Sequence, residues 1–96
     1  MAVIYIVEDD KNISEIESYA LKNSGYHVDS FENAKSFWNR IQERKPDLVL
    51  LDVMLPDSDG IEVLKKMRRN PDTKRVPVIM VTAKSTEFDK VKGLDN

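Results

Sequence analysis

The sequence contains no cysteine, which excludes disulfide bonds and thiolate metal sites and is compatible with a reducing compartment. It also has no apolar run near the roughly 20 residues that a membrane-spanning helix needs. The first residues, 1–7, carry neither a basic leader nor a small-residue cleavage site, so we do not expect them to form a signal peptide. Only three glycines are present, and no glycine-rich loop follows a predicted strand, which disfavours a nucleotide phosphate site. We therefore expect a cytoplasmic protein with no membrane partner.

An excess of charge of one sign is missing as well. The chain has 15 basic and 17 acidic residues, for a net charge of −2. This balance argues against nucleic-acid binding by this segment, since such binding needs a clear basic surplus. A length of 96 residues, 41% of them hydrophobic, suits one domain with a packed core, and no linker or repeat divides it.

Four short segments have the apolar composition of strands. Ala2–Val7, Leu48–Leu51 and Val76–Val81 are continuous apolar runs, which favour strands buried on both faces. Tyr26–Ser30 alternates instead, with Tyr26 and Val28 on one side, which indicates a strand with a wetter face at the edge of a sheet.

Helical periodicity fills the spaces between these strands. The predicted apolar faces are Ile13, Ile16, Ala20 and Leu21; Ala34, Phe37, Trp38 and Ile41; Val63, Leu64 and Met67; and Phe88, Val91 and Leu94 within a fourth helix at Ser85–Leu94. Strand and helix thus alternate four times. This order predicts an α/β fold, a doubly wound parallel sheet with helices on both faces.

Polar side chains follow all three of the predicted buried strands. Glu8, Asp9 and Asp10 follow the first, Asp52 follows Leu48–Leu51, and Thr82 follows Val76–Val81. Ligands of open parallel sheets bind beyond the carboxyl ends of the strands, so these residues should meet at one rim. Crowded carboxylates repel one another, and Mg²⁺, which prefers oxygen ligands, would remove that conflict. A carboxylate beside such an ion can attack phosphorus and form an aspartyl phosphate.

Each of these residues also has a plain structural explanation when taken alone. The acids at positions 8–10 could favour a helix N-terminus, Asp52 could be a turn residue, and Thr82 could simply end a strand. Their coincidence at one rim favours a functional site.

Four motifs carry a resemblance to response-regulator receiver domains. They are Ile6–Asp10, Leu50–Pro56, Asp59-Gly60 and Val81–Ala83, and together they span nearly the whole chain at the expected spacing. The stretches 56–60 and 91–95 are most similar to receivers joined to a winged-helix DNA-binding domain. The resemblance implies the flavodoxin-like receiver fold for residues 1–96.

The resemblance also implies a role for each matching residue. Asp52 is the expected phosphoacceptor, and the expected Mg²⁺ ligands are Glu8, Asp9, Asp52 and the backbone carbonyl of Met54. Thr82 is the expected switch hydroxyl, which assists the phosphoryl group. Ala83 is the small residue that leaves the phosphoryl site open. Asp10 is expected to be a helix N-cap rather than a ligand.

The family continues into a fifth strand and helix, including a lysine that contacts the phosphoryl group. Neither can be placed in this sequence, so we expect a receiver that is incomplete at its C-terminus. Val76–Val81 would then form an exposed apolar edge, which invites pairing. The sequence then predicts a homodimer through that edge or through the fourth helix, or poor behaviour in solution.

The resemblance implies a signalling switch rather than a turnover enzyme. A sensor histidine kinase is the expected phosphodonor, and DNA is expected to be reached only through an output domain outside this chain. Two alternatives remain open. One is a receiver-like interaction module that is never phosphorylated. The other is an aspartate-nucleophile phosphohydrolase of the haloacid-dehalogenase type, which needs an acid where Met54 stands.

Overall fold

Strands and helices alternate along the whole of the described chain. The computed structural model describes residues 1–81. Its elements are β1 (Val3–Val7), α1 (Lys11–Asn23), β2 (His27–Phe31), α2 (Ala34–Glu43), β3 (Leu48–Asp52), α3 (Gly60–Arg69) and β4 (Val78–Val81). The predicted fourth helix, Ser85–Leu94, lies outside the described residues.

The four strands form one parallel sheet in the order β2-β1-β3-β4. The chain moves from β1 outward to β2, then crosses back over β1 to reach β3. Because such crossovers are right-handed, this reversal puts α1 on one face of the sheet and α2 and α3 on the other. The predicted doubly wound fold is confirmed, and so is the placement of β2 at an edge. The reversal occurs between β1 and β3, where open α/β sheets place their ligand sites.

The hydrophobic core cluster lies between the sheet and the pair α2 and α3. Alternate side chains of β1 and β3 point to this face and pack against Phe37 of α2 and Met67 of α3. Tyr5 lies at the centre of this core, fully buried, with its ring edge-on to Phe31 and Phe37. The Tyr5 hydroxyl donates a hydrogen bond to the carbonyl of Arg44, 2.6 Å away, so its polar end is satisfied.

Each helix begins at a side chain that caps its first turn. Asp10 accepts hydrogen bonds from the N–H groups of Asn12 and Ile13, which confirms the predicted N-cap of α1. Asn33 caps α2 and Asp59 caps α3 in the same way. Gly25 follows α1 with a φ of +94°, a left-handed conformation that glycine adopts without strain.

Several details differ from the sequence-based expectations. Strand β1 begins one residue later than predicted, β2 begins and ends one residue later, β3 ends one residue later, and β4 begins at Val78 rather than at residue 76. The predicted apolar face of α1 is only partly buried, with Ile16 69% exposed. Among residues 1–81, no helix is long and apolar enough to cross a membrane.

Candidate metal and phosphoacceptor site

Strand β1 delivers two carboxylates to the rim. Its five residues are all buried, and its hydrogen-bonded ladder extends one residue further, because the Glu8 N–H donates to the carbonyl of Phe31 at 2.9 Å. The Glu8 side chain is only 3% exposed, and its Oε2 accepts the Asp10 N–H at 3.0 Å. Asp9, the next residue, is more accessible to solvent. The backbone of β1 thus holds a buried acid beside an accessible one.

Strand β3 delivers the third carboxylate. Asp52 is its last residue, pairs with Val81 of β4 and is 2% exposed. One carboxylate oxygen, Oδ1, accepts the N–H of Met54 at 3.2 Å. The other, Oδ2, is buried and has no hydrogen-bond partner among the residues that the structure describes. A buried carboxylate oxygen without a partner is costly, so this atom requires an explanation.

The three carboxylates converge on one point. One oxygen from each of Glu8, Asp9 and Asp52 can be chosen so that all lie within 4.8 Å of one another. Burial raises the pKa of Glu8 to about 7; the Asp10 N–H opposes this shift, and the Asp52 carboxylate adds to it. The structure therefore brings together the three acids that were expected to provide carboxylate ligands for Mg²⁺.

The arrangement fits a hard cation. All the available donors are oxygens, and the unpartnered Oδ2 of Asp52 has no described N–H or hydroxyl to neutralise it. A divalent ion would accept that lone pair and offset the repulsion between the acids. The donor set suits Mg²⁺ rather than a soft metal, since no sulfur or imidazole takes part in this cluster.

A tight loop connects Asp52 to α3. The N–H of Gly60 donates to the carbonyl of Val53 at 2.8 Å, and Met54 pairs with Asp59 through an antiparallel bridge. A Cβ on Gly60 would overlap the carbonyl oxygen of Asp52, so only glycine fits here. This close approach presses the start of α3 against the end of β3.

The remaining predicted site residues divide into two groups. Met54 lies at the rim, where its side chain is exposed and its N–H is bonded to Asp52. Thr82 and Ala83, the predicted switch residues, lie outside the described residues.

The sequence reasoning missed Asp57, whose carboxylate accepts hydrogen bonds from the first turn of α2. Its partners are 22 and 23 residues away, so no local pattern could have revealed them.

Sheet order, switch point and acidic rim define a class of α/β domain in which three carboxylates that could hold a cation, one of them a buried aspartate, meet at one rim. The model of the response regulator receiver domain matches residues 4–96. The chain therefore belongs to the response regulator receiver domain family, the receivers of two-component signalling.

Two transcriptional regulatory proteins that are similar to this chain agree with this assignment. The chain is 42% identical over 91 residues to the phosphate regulon transcriptional regulatory protein PhoB of Rhizobium meliloti, covering 95% of this chain and 40% of that protein. It is 42% identical over 92 residues to the alkaline phosphatase synthesis transcriptional regulatory protein PhoP of Bacillus subtilis, covering 96% of this chain and 38% of that protein. The chain thus spans about two fifths of the length of these relatives. The predicted resemblance to the receivers of transcriptional regulators is confirmed.

A solved structure shows the same fold with a metal ion. It is the receiver domain of sensor histidine kinase PA1611 from Pseudomonas aeruginosa, with a magnesium ion coordinated in its active site cleft. That domain is 26% identical to this chain and superposes with a TM-score of 0.81, covering 94% of this chain and 74% of that one.

Proposed function

We propose that this receiver is a Mg²⁺-dependent phosphoacceptor whose nucleophile is the carboxylate of Asp52. The proposal rests on the carboxylate of Asp52, which clusters with those of Glu8 and Asp9 and whose buried Oδ2 has no hydrogen-bond partner among the described residues. A carboxylate oxygen that makes no hydrogen bond within the described chain keeps its lone pairs for a cation or for phosphorus.

Four groups would hold the ion: the carboxylates of Glu8, Asp9 and Asp52, and the backbone carbonyl of Met54. The first three support this role through their geometry, and Met54 through its place beside Asp52 and through the family resemblance. Bound Mg²⁺ would neutralise charge on these ligands and on an incoming phosphoryl group.

The protein's part in the reaction is to hold the nucleophile in place. Asp52 is held by the β3–β4 ladder on one side and by the Met54 N–H on the other, so its carboxylate is oriented before the phosphodonor arrives. In the transfer, an oxygen–phosphorus bond forms at Asp52 while the bond from phosphorus to the donor breaks. The leaving group keeps the electron pair of that bond, and a phosphohistidine donor departs as neutral imidazole after taking up a proton.

The proposed response involves the residues after β4. Thr82 would donate its hydroxyl hydrogen to a phosphoryl oxygen, and Ala83 would leave room for the phosphoryl group. A local change in charge would thereby bias a two-state element and alter a protein contact surface. The chain would be modified and reset rather than turn over a substrate, so we class it as a switch and not an enzyme.

The relatives suggest the partners of such a switch. We propose that a cytosolic sensor histidine kinase domain donates the phosphoryl group and that the altered surface controls transcription through a separate DNA-binding domain. The names of the two regulators similar to this chain support the second part. A homodimer through β4 or through the segment 85–94 remains a prediction.

Intact-mass measurement tests the assignment directly. The protein is incubated with acetyl phosphate in the presence of Mg²⁺, and a parallel sample contains a chelator instead. We expect a single phosphoryl adduct with Mg²⁺, much less with the chelator, and none in the Asp52→Asn variant.

Two outcomes would contradict the proposal. An adduct that persists in Asp52→Asn would place the phosphoryl group on another residue. A wild-type protein that binds Mg²⁺ but takes up no phosphoryl group would favour the alternative of an interaction module that is never phosphorylated.

A further inference from the structure

The loop between β3 and α3 is held to the fold at two places. At its base, the Gly60 N–H is bonded to the carbonyl of Val53, and Met54 pairs with Asp59. At its tip, the Asp57 carboxylate accepts the N–H of Ala34 at 2.9 Å through Oδ1 and the N–H of Lys35 at 3.1 Å through Oδ2. The tip is thus joined to the start of α2, a separate element on the same face of the sheet.

Both Asp57 oxygens are used in this contact. These backbone N–H groups belong to the first turn of α2, where no carbonyl within the helix can accept them. Their hydrogen bonds lower the pKa of Asp57, so the carboxylate stays ionised beside the positive end of the helix. The contact therefore combines two charge-assisted hydrogen bonds with a favourable charge–dipole interaction.

The first turn of α2 already has a cap from the residue that directly precedes the helix. Asn33 accepts the Ser36 N–H at 2.8 Å through its side-chain oxygen. Asp57 satisfies the two N–H groups that precede Ser36, so the two acceptors divide the first turn between them. A helix that needed only one local cap would not require an anchor from a loop more than 20 residues away in sequence.

We propose that Asp57 is a positioning residue for the metal and phosphoryl site, because it anchors the loop that carries Met54 to the N-terminus of α2. The inference rests on the proposed function, in which the Met54 carbonyl is a ligand of Mg²⁺. A loop held only at its base samples more conformations, and ordering it on metal binding would consume part of the binding free energy. With the tip anchored, the loop is ordered before the ion arrives.

A pair of alanine variants separates this role from simple helix capping. Asp57→Ala removes a cap of α2 and also frees the loop. Asn33→Ala removes a cap of the same helical turn and leaves the loop anchored. If Asp57 only stabilised α2, the two variants would lose metal affinity to the same small extent.

Calorimetric titration with Mg²⁺ measures the difference. We expect Asp57→Ala to weaken Mg²⁺ binding about tenfold, the lower end of the effect of losing a group that orients metal ligands. Asn33→Ala should stay within about twofold of the wild type. Asp57→Asn, which keeps one acceptor oxygen, should fall between the wild type and Asp57→Ala. Equal affinities for the two alanine variants would overturn the proposal.

Amide hydrogen exchange gives a reading that does not depend on the metal. The Gly60 N–H, at the base of the loop, should exchange faster in Asp57→Ala than in Asn33→Ala, and the Ala34 N–H should lose protection in Asp57→Ala. Failure of the wild type to bind Mg²⁺ would contradict the proposed function. The exchange data would still show whether Asp57 orders the loop. Equal exchange at Gly60 in both variants would show that Asp57 does not order the loop.

Discussion

Replacing Glu8 with glutamine should stabilise the metal-free protein, and the gain should grow with pH. The Glu8 carboxyl is buried beside Asp52, whose Oδ2 makes no hydrogen bond within the described chain. Glutamine has nearly the same shape and can still accept the Asp10 N–H. Its amide group can also donate a hydrogen bond toward Asp52, which a carboxylate cannot do. The substitution therefore replaces a repulsion between like charges with an attraction.

The pKa of Glu8 sets the size and the sign of this effect. Burial raises it from 4.5 to about 7, so within that range the folded state holds a proton that the unfolded state has released. The free energy of unfolding of the wild type must then fall as pH rises through this range. At about 1.36 kcal/mol per pKa unit, the shift corresponds to at most slightly more than about 3 kcal/mol. We expect about 1 to 2 kcal/mol, since the neighbouring groups relax and water enters when Glu8 ionises.

Urea unfolding followed by the fluorescence of Trp38, the one tryptophan, measures this difference. Wild type and Glu8→Gln are compared with a chelator present at about pH 5 and about pH 8. Glu15→Gln, the same chemical change at an exposed site on α1, is the control. Glu17, whose pKa burial also raises, is present in every sample, so its contribution cancels.

The free energies of unfolding of Glu8→Gln and Glu15→Gln should differ most at high pH. Glu8→Gln should exceed the wild type in stability at about pH 8 and nearly match it at about pH 5, whereas Glu15→Gln should show no such trend. Added Mg²⁺ should reduce the stability difference between Glu8→Gln and the wild type at high pH, because it stabilises the wild type more than the variant. The same difference in stability between Glu8→Gln and the wild type at both pH values would refute this electrostatic explanation. A Glu8→Gln variant that is less stable than the wild type at the higher pH would also refute it.

Three further substitutions test the framework around the site, each by urea unfolding. Gly60→Ala should lower the free energy of unfolding by about 3 kcal/mol, because the new Cβ would overlap the backbone carbonyl of Asp52; an unchanged stability would show that α3 can shift freely. Tyr5→Phe should cost about 1 to 2 kcal/mol, since the carbonyl of Arg44 loses its buried partner, and no loss would mean that water replaces the hydroxyl. Arg68→Ala should lower the free energy of unfolding by about 1 to 2 kcal/mol, because two hydrogen bonds to main-chain carbonyls before β4 are lost. An unchanged stability would show that the turn before β4 does not depend on these bonds.

The buried strands could be predicted from sequence because their signal is local. Val3–Val7 and the first four residues of Leu48–Asp52 are continuous apolar runs, and both strands are central in the sheet. The apolar face of α1 was harder to interpret. Periodicity identifies a stripe on a helix, but burial requires another element to cover it, and the described elements leave Ile16 exposed. A pattern within one segment carries no information about its neighbours in space.

In the candidate site, too, some features could be predicted from the sequence and others could not. Glu8, Asp9 and Asp52 could be predicted together because parallel strands bring their carboxyl ends to one rim. The anchoring role of Asp57 could not, since it depends on how a loop meets a helix more than 20 residues earlier. The raised pKa of Glu8 could not either, because it follows from burial that only packing creates.

The framework explains why the acids cannot relieve their own repulsion. The Glu8 N–H is bonded to the carbonyl of Phe31, and the Val53 N–H, directly after Asp52, is bonded to the carbonyl of Val81 at 3.2 Å. Backbone ladders of a rigid sheet therefore hold both buried carboxylates at the rim, and separating them would break hydrogen bonds in the core. The repulsion between the carboxylates is instead relieved when a cation or a phosphoryl group neutralises or replaces their charge. Destabilisation of the free protein and affinity for the ligand thus share one electrostatic cause, so a variant such as Glu8→Gln should gain stability and lose Mg²⁺ affinity together.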